Sequence, residues 1–307
     1  MTSEIIPMGP VTHQDYRRFL QGHKRVLIEN VEVELGKLRR LDTFAPPAGY
    51  KPEATTVWSF PDRGDWASHV GNYRGNWSPY IPRNLILKYT KPEEVVLDQM
   101  VGSGTTLVEC KLLSRNGIGV DVNRDALMVA SDRASFPYRP LDEEYVKPSI
   151  DLFHGDARHL DRIKDEAVDL VATHPPYAGI IKYTGKRVEG DLSRLKLPGF
   201  LEAMRQVAAE AYRVLKPGKH CAILIGDTRQ HRHYVPISAR VLQQFLDVGF
   251  ILREDIVKIQ HKMKSTREQW SGSKYDFYLI FHEHLFVFRK PAVGEKVSDY
   301  RNSVKWW

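Results

Sequence analysis

The sequence predicts an α/β protein built on a doubly wound, mostly parallel sheet with an antiparallel strand near its C-terminus. From residue 94 onward, short apolar runs with strand character alternate with helical patterns. Such alternation favours a parallel sheet, because right-handed crossovers place the helices on both faces. The 307 residues, 42% of them hydrophobic, suffice for one large domain with an extension.

The alternating part of the chain defines five strands before the C-terminal pair. The predicted strands are EVVLDQM, GIGVDVN, IDLFHGDA, AVDLVATH and KHCAILIGD. The predicted helices are GTTLVECKLLSRN, RDALMVASDRAS, GFLEAMRQVAAEAYRVL and VPISARVLQQFLDVG. Gly117 should close the first helix, and Lys216, Pro217 and Gly218 should stop the third. FILREDIVKIQ and YDFYLIFHEHLFVFRK then follow each other without a helix, so they can be neighbours only in an antiparallel pair.

The N-terminal part has a different pattern. Residues 1–45 place apolar side chains at three- and four-residue steps and predict helix. Residues 44–56 are rich in Pro and small residues and predict an irregular crossing, and a helix should follow with Pro82 near its start. We therefore divide the chain into a helical extension with linker, a sheet domain and a tail, at residues 1–69, 70–295 and 296–307.

Composition narrows the class of protein. The formal charge of +7 makes a polyanionic partner plausible. No apolar run approaches the roughly 18 to 20 residues of a membrane span, and the N-terminus has no signal-peptide pattern. Cys110 and Cys221 lie far apart in apolar segments and match no metal-binding spacing. These features predict a cytoplasmic protein without a metal site.

A glycine loop joins the first strand to the first helix. In LDQMVGSGTT, Gly102 and Gly104 permit a tight turn and let a ligand approach the backbone. A phosphate-binding P-loop would need a Lys after the second glycine, which this loop lacks. A dinucleotide fingerprint would need a third small residue where Leu107 stands. The loop alone therefore leaves the ligand open.

Two acidic residues indicate which ligand the glycine loop binds. Asp121 ends the second strand, where a carboxylate can accept both hydroxyls of a ribose. Asp156 ends the third strand and can meet the edge of an adenine. Ligands in such sheets bind at the carboxyl ends of the strands. Together with the glycine loop, these acids predict a pocket for an adenosine-containing ligand.

The fourth strand ends in Thr173-His174-Pro175-Pro176-Tyr177. Prolines have no N–H, so this loop is stiff and can turn its carbonyls outward. The ring of Tyr177 offers a face on which a flat base can stack. The loop could equally be a stiff structural turn.

The motifs LDQMVGSGTT, GVDVN, HGDA, THPPY, RVLKPGKHCAILIGD and HEHLFVFRK, taken together, resemble those of the amino-methyltransferases of DNA bases. The resemblance covers about residues 70 to 291 and implies a Rossmann-like class I methyltransferase fold and S-adenosyl-L-methionine as cofactor. Implied cofactor-binding residues are Asp98, Met100, Gly102, Ser103, Gly104, Thr105, Asp121, Val122, Asp156, Ala157, Asn76 and Ser78. Implied catalytic residues are His174, Pro175, Pro176 and Tyr177.

Three residues in two motifs depart from the family pattern. Gln99 and Met100 stand where the family usually has Pro and Phe, and His174 stands where it has Asp, Asn or Ser. A neutral histidine can still accept a hydrogen bond from the target amine, whereas a protonated one cannot. The resemblance links a carboxylate at this position mostly with adenine N6 and an uncharged Ser mostly with cytosine N4. Because a neutral histidine is also uncharged, we slightly favour N4 over adenine N6.

The nucleic acid needs a basic surface beside this loop. Residues 258–274 and 227–234 carry basic side chains, and the first segment also contains an aromatic residue among them. We expect contacts with nucleic acid from Lys262, Lys264, Arg267, Trp270, Arg229 and Arg232. A solvated hairpin loop is the plainer interpretation of the first segment.

Four functions remain open at this point. The first is methylation of DNA, which we favour. The second is the same reaction on ribosomal or transfer RNA, and the third is a nucleic-acid-binding module without activity. Methylation of a small molecule or a protein side chain is the fourth, and the basic charge disfavours it. The sequence does not predict an oligomeric state.

Overall fold

A nine-stranded mixed sheet organises the molecule in the computed structural model, which describes residues 5–28, 31–37, 41–73, 75–140, 144–176, 190–261 and 275–305. The strands, in chain order, are β1 Gly9–Val11, β2 Arg25–Ile28, β3 Val31–Glu34, β4 Val57–Ser59, β5 Val95–Asp98, β6 Asn116–Asp121, β7 Ile150–His154, β8 Val168–Thr173, β9 Leu215–Ile225, β10 Thr228–Gln230, β11 His233–Val235, β12 Ile251–Ile259 and β13 His282–Arg289. The helices are α1 His13–Gly22, α2 Tyr80–Tyr89, α3 Thr105–Leu112, α4 Arg124–Ala134, α5 Leu197–Val214 and α6 Ile237–Val248.

The order of strands in the large sheet is β1-β7-β6-β5-β8-β9-β13-β12-β4. Strands β5 to β9 pair in parallel with one another, whereas β1 runs antiparallel to β7, and β13 runs antiparallel to both β9 and β12. The predicted fold class is thus confirmed, and the central strands and helices lie where the alternation places them. Both sheet faces are covered by apolar clusters, one with α5 and α6 and one with α2.

The N-terminal expectation of continuous helix is wrong beyond residue 22. Helix α1 begins with a capping box between Thr12 and Asp15, and it ends at Gly22. Strands β2 and β3 then form an antiparallel hairpin. Alternate side chains in this hairpin are buried and exposed, which is the two-residue period of a strand. The β-branched residues of RVLI and VEVE favour that geometry over helix.

One predicted helix end is corrected, and another is confirmed to within one residue. Helix α3 ends at Leu112, and Gly117 lies inside β6, where an added Cβ would come within 2.9 Å of Leu107 Cδ2. This glycine therefore permits close packing of a helix on a strand. Helix α5 ends at Val214, one residue before the predicted end, and residues 216–218 belong to β9.

Residues 1–69 contribute to the main sheet as well as to the surface. Strand β1 pairs with β7 at one edge, and β4 pairs with β12 at the other. The indole of Trp66 donates a 2.7 Å hydrogen bond to the buried carboxylate of Glu109 on α3. The division of the chain at residues 69 and 295 stays a prediction.

Candidate active site

One cavity of about 680 Å³ lies at the carboxyl ends of β5, β6, β7 and β8. This is the edge where ligands bind in open parallel sheets. Its lining contains eight of the predicted site residues: Met100, Gly102, Asp121, Val122, Asp156, Ala157, His174 and Pro176. It also contains seven residues that the sequence did not indicate: Tyr73, Gly75, Gln99, Asn123, Gly190, Asp191 and Leu192.

The glycine loop takes a conformation that other residues rarely adopt. Gly102 has φ +49° and Gly104 has φ +82°, both in the left-handed region. A Cβ on Gly104 would lie 3.0 Å from Ala130 Cα, so this glycine lets α3 begin against α4. Gly102 forms part of the cavity wall beside the ring of Tyr73.

Asp121 faces the cavity and is held by the backbone on both sides. One carboxylate oxygen accepts the N–H of Gly102 at 2.9 Å, and the other accepts the N–H of Asn123 at 2.8 Å. Burial raises the pKa of Asp121 to about 6, although these hydrogen bonds oppose the rise. The carboxylate is therefore fixed in orientation and poised to accept ligand hydroxyls.

Asp98 lies below the cavity and does not line it. Its carboxylate accepts hydrogen bonds from the hydroxyls of Thr106 at 2.5 Å and Thr173 at 2.9 Å, and from the N–H of Met100 at 3.2 Å. Burial raises its pKa to about 6. This residue joins the glycine loop to the end of β8, so its contacts suit a supporting role.

Asp156 lines the cavity, but its carboxylate already has a charged partner. Nε of Arg158 donates to both oxygens, at 3.0 and 3.1 Å, and the backbone N–H of Arg158 donates at 2.9 Å. Both side chains are buried. Contact with a ligand at this end of the cavity would thus involve a carboxylate that a guanidinium holds in place.

The remaining predicted cofactor residues lie behind the cavity wall. The hydroxyl of Thr105 donates to Asn76 Oδ1 at 2.5 Å, and the hydroxyl of Ser78 donates to the carbonyl of Arg63 at 2.6 Å. These bonds anchor residues 75–78 near the start of α3, and Ser103 is buried beside them. None of the four side chains of Asn76, Ser78, Ser103 and Thr105 is part of the described lining.

The segment Gly190–Leu192 returns to the cavity from far along the chain. Gly190 has φ +78°, and a Cβ there would lie 2.8 Å from Asp156 Oδ2 and 3.0 Å from Val122 Cγ1. Asp191 accepts hydrogen bonds from the backbone and hydroxyl of Ser193, at 3.0 and 2.5 Å. The segment is therefore packed directly on the walls of the cavity.

We expect Gly190→Ala to weaken binding of an adenosine ligand about tenfold, since the strain of a left-handed residue and its contacts would push the segment outward. Isothermal calorimetry with S-adenosyl-L-methionine measures this change. Gly199→Ala is the matched control, because a Cβ there meets only Leu195 atoms, at 4.0 Å. Equal affinities for both variants would show that Gly190 does not shape the pocket.

His174 lines the cavity and follows directly after β8. Its ring hydrogen-bonds to the backbone of Gly75 and stacks on Trp77, with ring centroids 6.0 Å apart. Burial lowers the pKa of His174 to about 4. The ring is therefore neutral at pH 7, and the nitrogen that does not donate to Gly75 retains its lone pair.

Several predicted residues lie outside the described part of the chain, namely Tyr177, Lys262, Lys264, Arg267 and Trp270. Pro175 is buried beside His174. Arg229 is held within the protein, with its guanidinium 4.7 Å from the ring centroid of Phe277 and 5.7 Å from that of Tyr234. Arg232 lies in the exposed turn between β10 and β11.

Gln99, one of the lining residues, has a buried polar atom. Gln99 donates through Nε2 to the carbonyls of Ala157 and Val207, at 3.2 and 3.3 Å. Its Oε1 is buried and has no hydrogen-bond partner among the described residues. An acceptor of this kind is costly unless a ligand supplies a donor. The only sign of this residue in the sequence was that Gln99 stands where the family usually has Pro.

Residues 15–132 and 168–305 match a family model described as DNA methylase, of the N6 and N4 type. The chain belongs to this family. It is 31% identical over 188 residues to the release factor glutamine methyltransferase of Caulobacter vibrioides, a match that covers 53% of this chain and 62% of that protein. It is 32% identical over 95 residues to the type II methyltransferase M.HpaI of Haemophilus parainfluenzae, covering 29% of this chain and 28% of that one.

This chain thus spans less than two thirds of the length of either relative. Among solved structures, a SAM-dependent methyltransferase from Methanosarcina mazei superposes with a TM-score of 0.45 at 14% identity, over 68% of this chain and 97% of that one. Within the described residues, no group of three or more His, Cys, Asp or Glu side chains could hold a metal ion. No helix in the described ranges has the length and apolar character to cross a membrane.

Proposed function

We propose that this member of the DNA methylase family transfers a methyl group from S-adenosyl-L-methionine to an exocyclic amine of a base in DNA. The observation that carries the proposal is that a neutral His174 lines the same cavity as Asp121 and the glycine loop. The chemistry needs a methyl-donor pocket and a hydrogen-bond acceptor for the amine side by side, and this cavity has both.

The residues of the cavity fit the cofactor. The lining residues come from the ends of four neighbouring strands and from the segment that contains Gly190. The Asp121 carboxylate suits the two ribose hydroxyls, and the buried Oε1 of Gln99 suits a donor such as the adenine amine. S-adenosyl-L-methionine would supply the activated methyl group. Gly102, Val122 and Ala157 would bound its nucleoside part.

His174 would orient the target amine. The lone pair of an exocyclic amine is conjugated with its ring and is a poor nucleophile. Two acceptors, the lone pair of His174 and the carbonyl of Pro175, would hold the two N–H groups and turn the nitrogen lone pair toward the methyl. Alignment of this kind supplies most of the rate in a reaction without a covalent intermediate.

Cytosine N4 is the target that we favour over adenine N6. An uncharged acceptor at the first loop position goes with cytosine N4 in the family that the sequence resembles. The low pKa of His174 supports an uncharged acceptor, since the ring carries no proton beyond its one N–H at neutral pH. The base would have to leave its stack to reach this position.

Two other substrates could accept the methyl group, and the experiment below distinguishes them from DNA. The same geometry would serve a base amine of ribosomal or transfer RNA. Similarity to a protein named release factor glutamine methyltransferase favours one further candidate, the amide of a glutamine side chain, whose –NH₂ is also conjugated. The net charge of +7 supports nucleic acid over protein.

The deciding experiment is incubation of the protein with methyl-labelled S-adenosyl-L-methionine and separate pools of DNA, RNA and protein. The modified nucleosides of a labelled DNA or RNA pool, or the modified amino acids of a labelled protein pool, are then separated and identified. We expect label in DNA as N4-methylcytosine. Label as N6-methyladenine would overturn the choice of base, and label confined to RNA or protein would overturn the choice of polymer.

A further inference from the structure

The segment 75–78, which precedes α2, lies against the His174 ring. Trp77 in this segment is 5% exposed, and its indole is inclined to the imidazole by only 20°, with ring centroids 6.0 Å apart. Aromatic rings that stack with a lateral offset have this geometry. The backbone of Gly75 hydrogen-bonds to the same imidazole. The segment therefore contacts His174 through a side chain and through the main chain.

Hydrogen bonds anchor this segment on both sides of Trp77. At the start of α3, the hydroxyl of Thr105 donates to Asn76 Oδ1 at 2.5 Å. The hydroxyl of Ser78 donates to the carbonyl of Arg63 at 2.6 Å, and the guanidinium of Arg63 donates to the carbonyl of Trp77 at 2.9 Å. The indole packs in the apolar cluster that α2 and β8 share. Trp77 is thus a fixed support for the imidazole.

An amine acceptor needs such a support. The last torsion of a histidine side chain is broad, so the backbone alone does not fix where the ring nitrogens of His174 point. Contact of one face with an indole restricts tilting of the imidazole, and a hydrogen bond at its edge restricts rotation within the plane. Both restrictions help to aim a ring nitrogen at an amine, because the rate of transfer depends on alignment.

The indole also keeps water from the imidazole. Burial lowers the pKa of His174 to about 4, and a neighbouring indole takes the place of water that would stabilise the imidazolium. In the described part of the chain, the charged groups that act on the ring are Glu283 from β13 and Lys258 from β12, with opposite signs. Burial against apolar surface is therefore the main reason that the ring is neutral.

We propose that Trp77 is a positioning residue for His174, with an indole that holds the plane of the imidazole and keeps water from it. This inference rests on the proposed function, because the ring that Trp77 supports is the amine acceptor of that reaction. It gives the segment 75–78 a role toward the acceptor, in addition to the cofactor contacts that the sequence predicts for Asn76 and Ser78.

Replacement of Trp77 by leucine removes the flat support and admits water to the ring. We expect Trp77→Leu to raise the pKa of His174 by about one pH unit, since solvation favours the imidazolium. The rate constant kcat at saturating cofactor should fall about tenfold, because a tilted ring aligns the amine poorly. Trp77→Phe retains an aromatic face, so kcat should stay within about threefold of the wild type and the pKa close to its wild-type value.

Trp58→Leu is the matched control for the loss of a buried indole. Trp58 is 3% exposed and belongs to the same apolar cluster, but its ring meets Phe60 edge-on, with centroids 6.2 Å apart, and its Nε1 donates to the carbonyl of Thr55 at 2.8 Å. This variant should lose thermal stability and leave both kcat and the pKa of His174 unchanged. If Trp77→Leu does not fold, Trp77→Met takes its place with the same expected changes, since methionine adapts to irregular core spaces.

The pKa is read by NMR of protein labelled with ¹⁵N-histidine, with the His174 signal assigned by its loss in His174→Asn. The proposal is overturned if Trp77→Leu changes the pKa and kcat no more than Trp58→Leu does, or if Trp77→Phe changes them as much as Trp77→Leu. In either case the aromatic face of Trp77 does not position the ring. The NMR titration needs no methyl transfer. A wild-type protein that labels no pool would therefore refute the proposed function while the role of Trp77 was still decided.

Discussion

Replacement of His174 by alanine is expected to slow methyl transfer by about 10²- to 10³-fold, the usual effect of removing one preorganised catalytic hydrogen bond. The affinity for S-adenosyl-L-methionine should stay close to that of the wild type, because the proposed cofactor contacts come from Asp121, Gln99 and the glycine loop. Single-turnover methyl transfer and calorimetry measure the two quantities separately. A fall in rate without a fall in cofactor affinity is the expected signature of an amine acceptor.

The pH dependence of methyl transfer follows from the neutral state of the His174 ring. Burial lowers the pKa of His174 to about 4, so the acceptor form predominates above that pH and is lost as the pH falls through it. The rate constant kcat should therefore stay level from neutral pH downward until the medium approaches pH 4. His174→Asn retains an acceptor oxygen and should recover part of the activity.

His220→Ala serves as the matched control for the loss of a buried histidine. His220 lies opposite Leu170 in the register of β8 and β9, and burial also lowers its pKa to about 4. This variant should lose stability and keep its rate per folded molecule. Near-normal methyl transfer by His174→Ala would contradict our assignment and leave orientation of the amine to the carbonyl of Pro175.

The sequence predicted the centre of the fold because local patterns there agree with the tertiary structure. The run VVLD, the glycine loop and the helix TTLVECKL are each recognisable within about ten residues, and their order implies the parallel sheet. Asp121 at the end of β6 could be predicted for the same reason, because the carboxyl ends of parallel strands meet at one edge of the sheet. The hairpin after α1 was missed because RVLIENVEVEL fits both helical and strand periods, and only its packing against α4 selects the strand.

Other site residues could not be predicted because they depend on contacts between distant segments. Gly190 is a plain glycine in the sequence, and its role comes from its approach to Asp156. Trp77 and His174 lie far apart in the chain, and their rings stack only in the folded protein. Asn76 and Ser78 hydrogen-bond to Thr105 and Arg63, and their contact with a ligand stays a prediction.

Asp121→Asn is expected to weaken the binding of S-adenosyl-L-methionine by about 100-fold, as hydrogen bonds to a charged group contribute about 1.5–3 kcal/mol. The asparagine has one acceptor oxygen and one NH₂ group. The backbone N–H groups of Gly102 and Asn123 approach the two carboxylate oxygens at 2.9 and 2.8 Å, so one of them would face a donor. The variant loses both the charge and the fixed orientation, and calorimetry measures the result.

The pH dependence of binding separates these two losses. Burial raises the pKa of Asp121 to about 6, so the ligand-free protein takes up a proton there as the pH falls below 6. A ligand that needs the carboxylate must displace this proton, and its affinity should fall about tenfold for each pH unit below 6. Asp121→Asn should remove that slope, whereas Asp125→Asn in the first turn of α4 should keep both the affinity and the slope. An unchanged slope in Asp121→Asn would show that Asp121 holds the glycine loop without contacting the ligand.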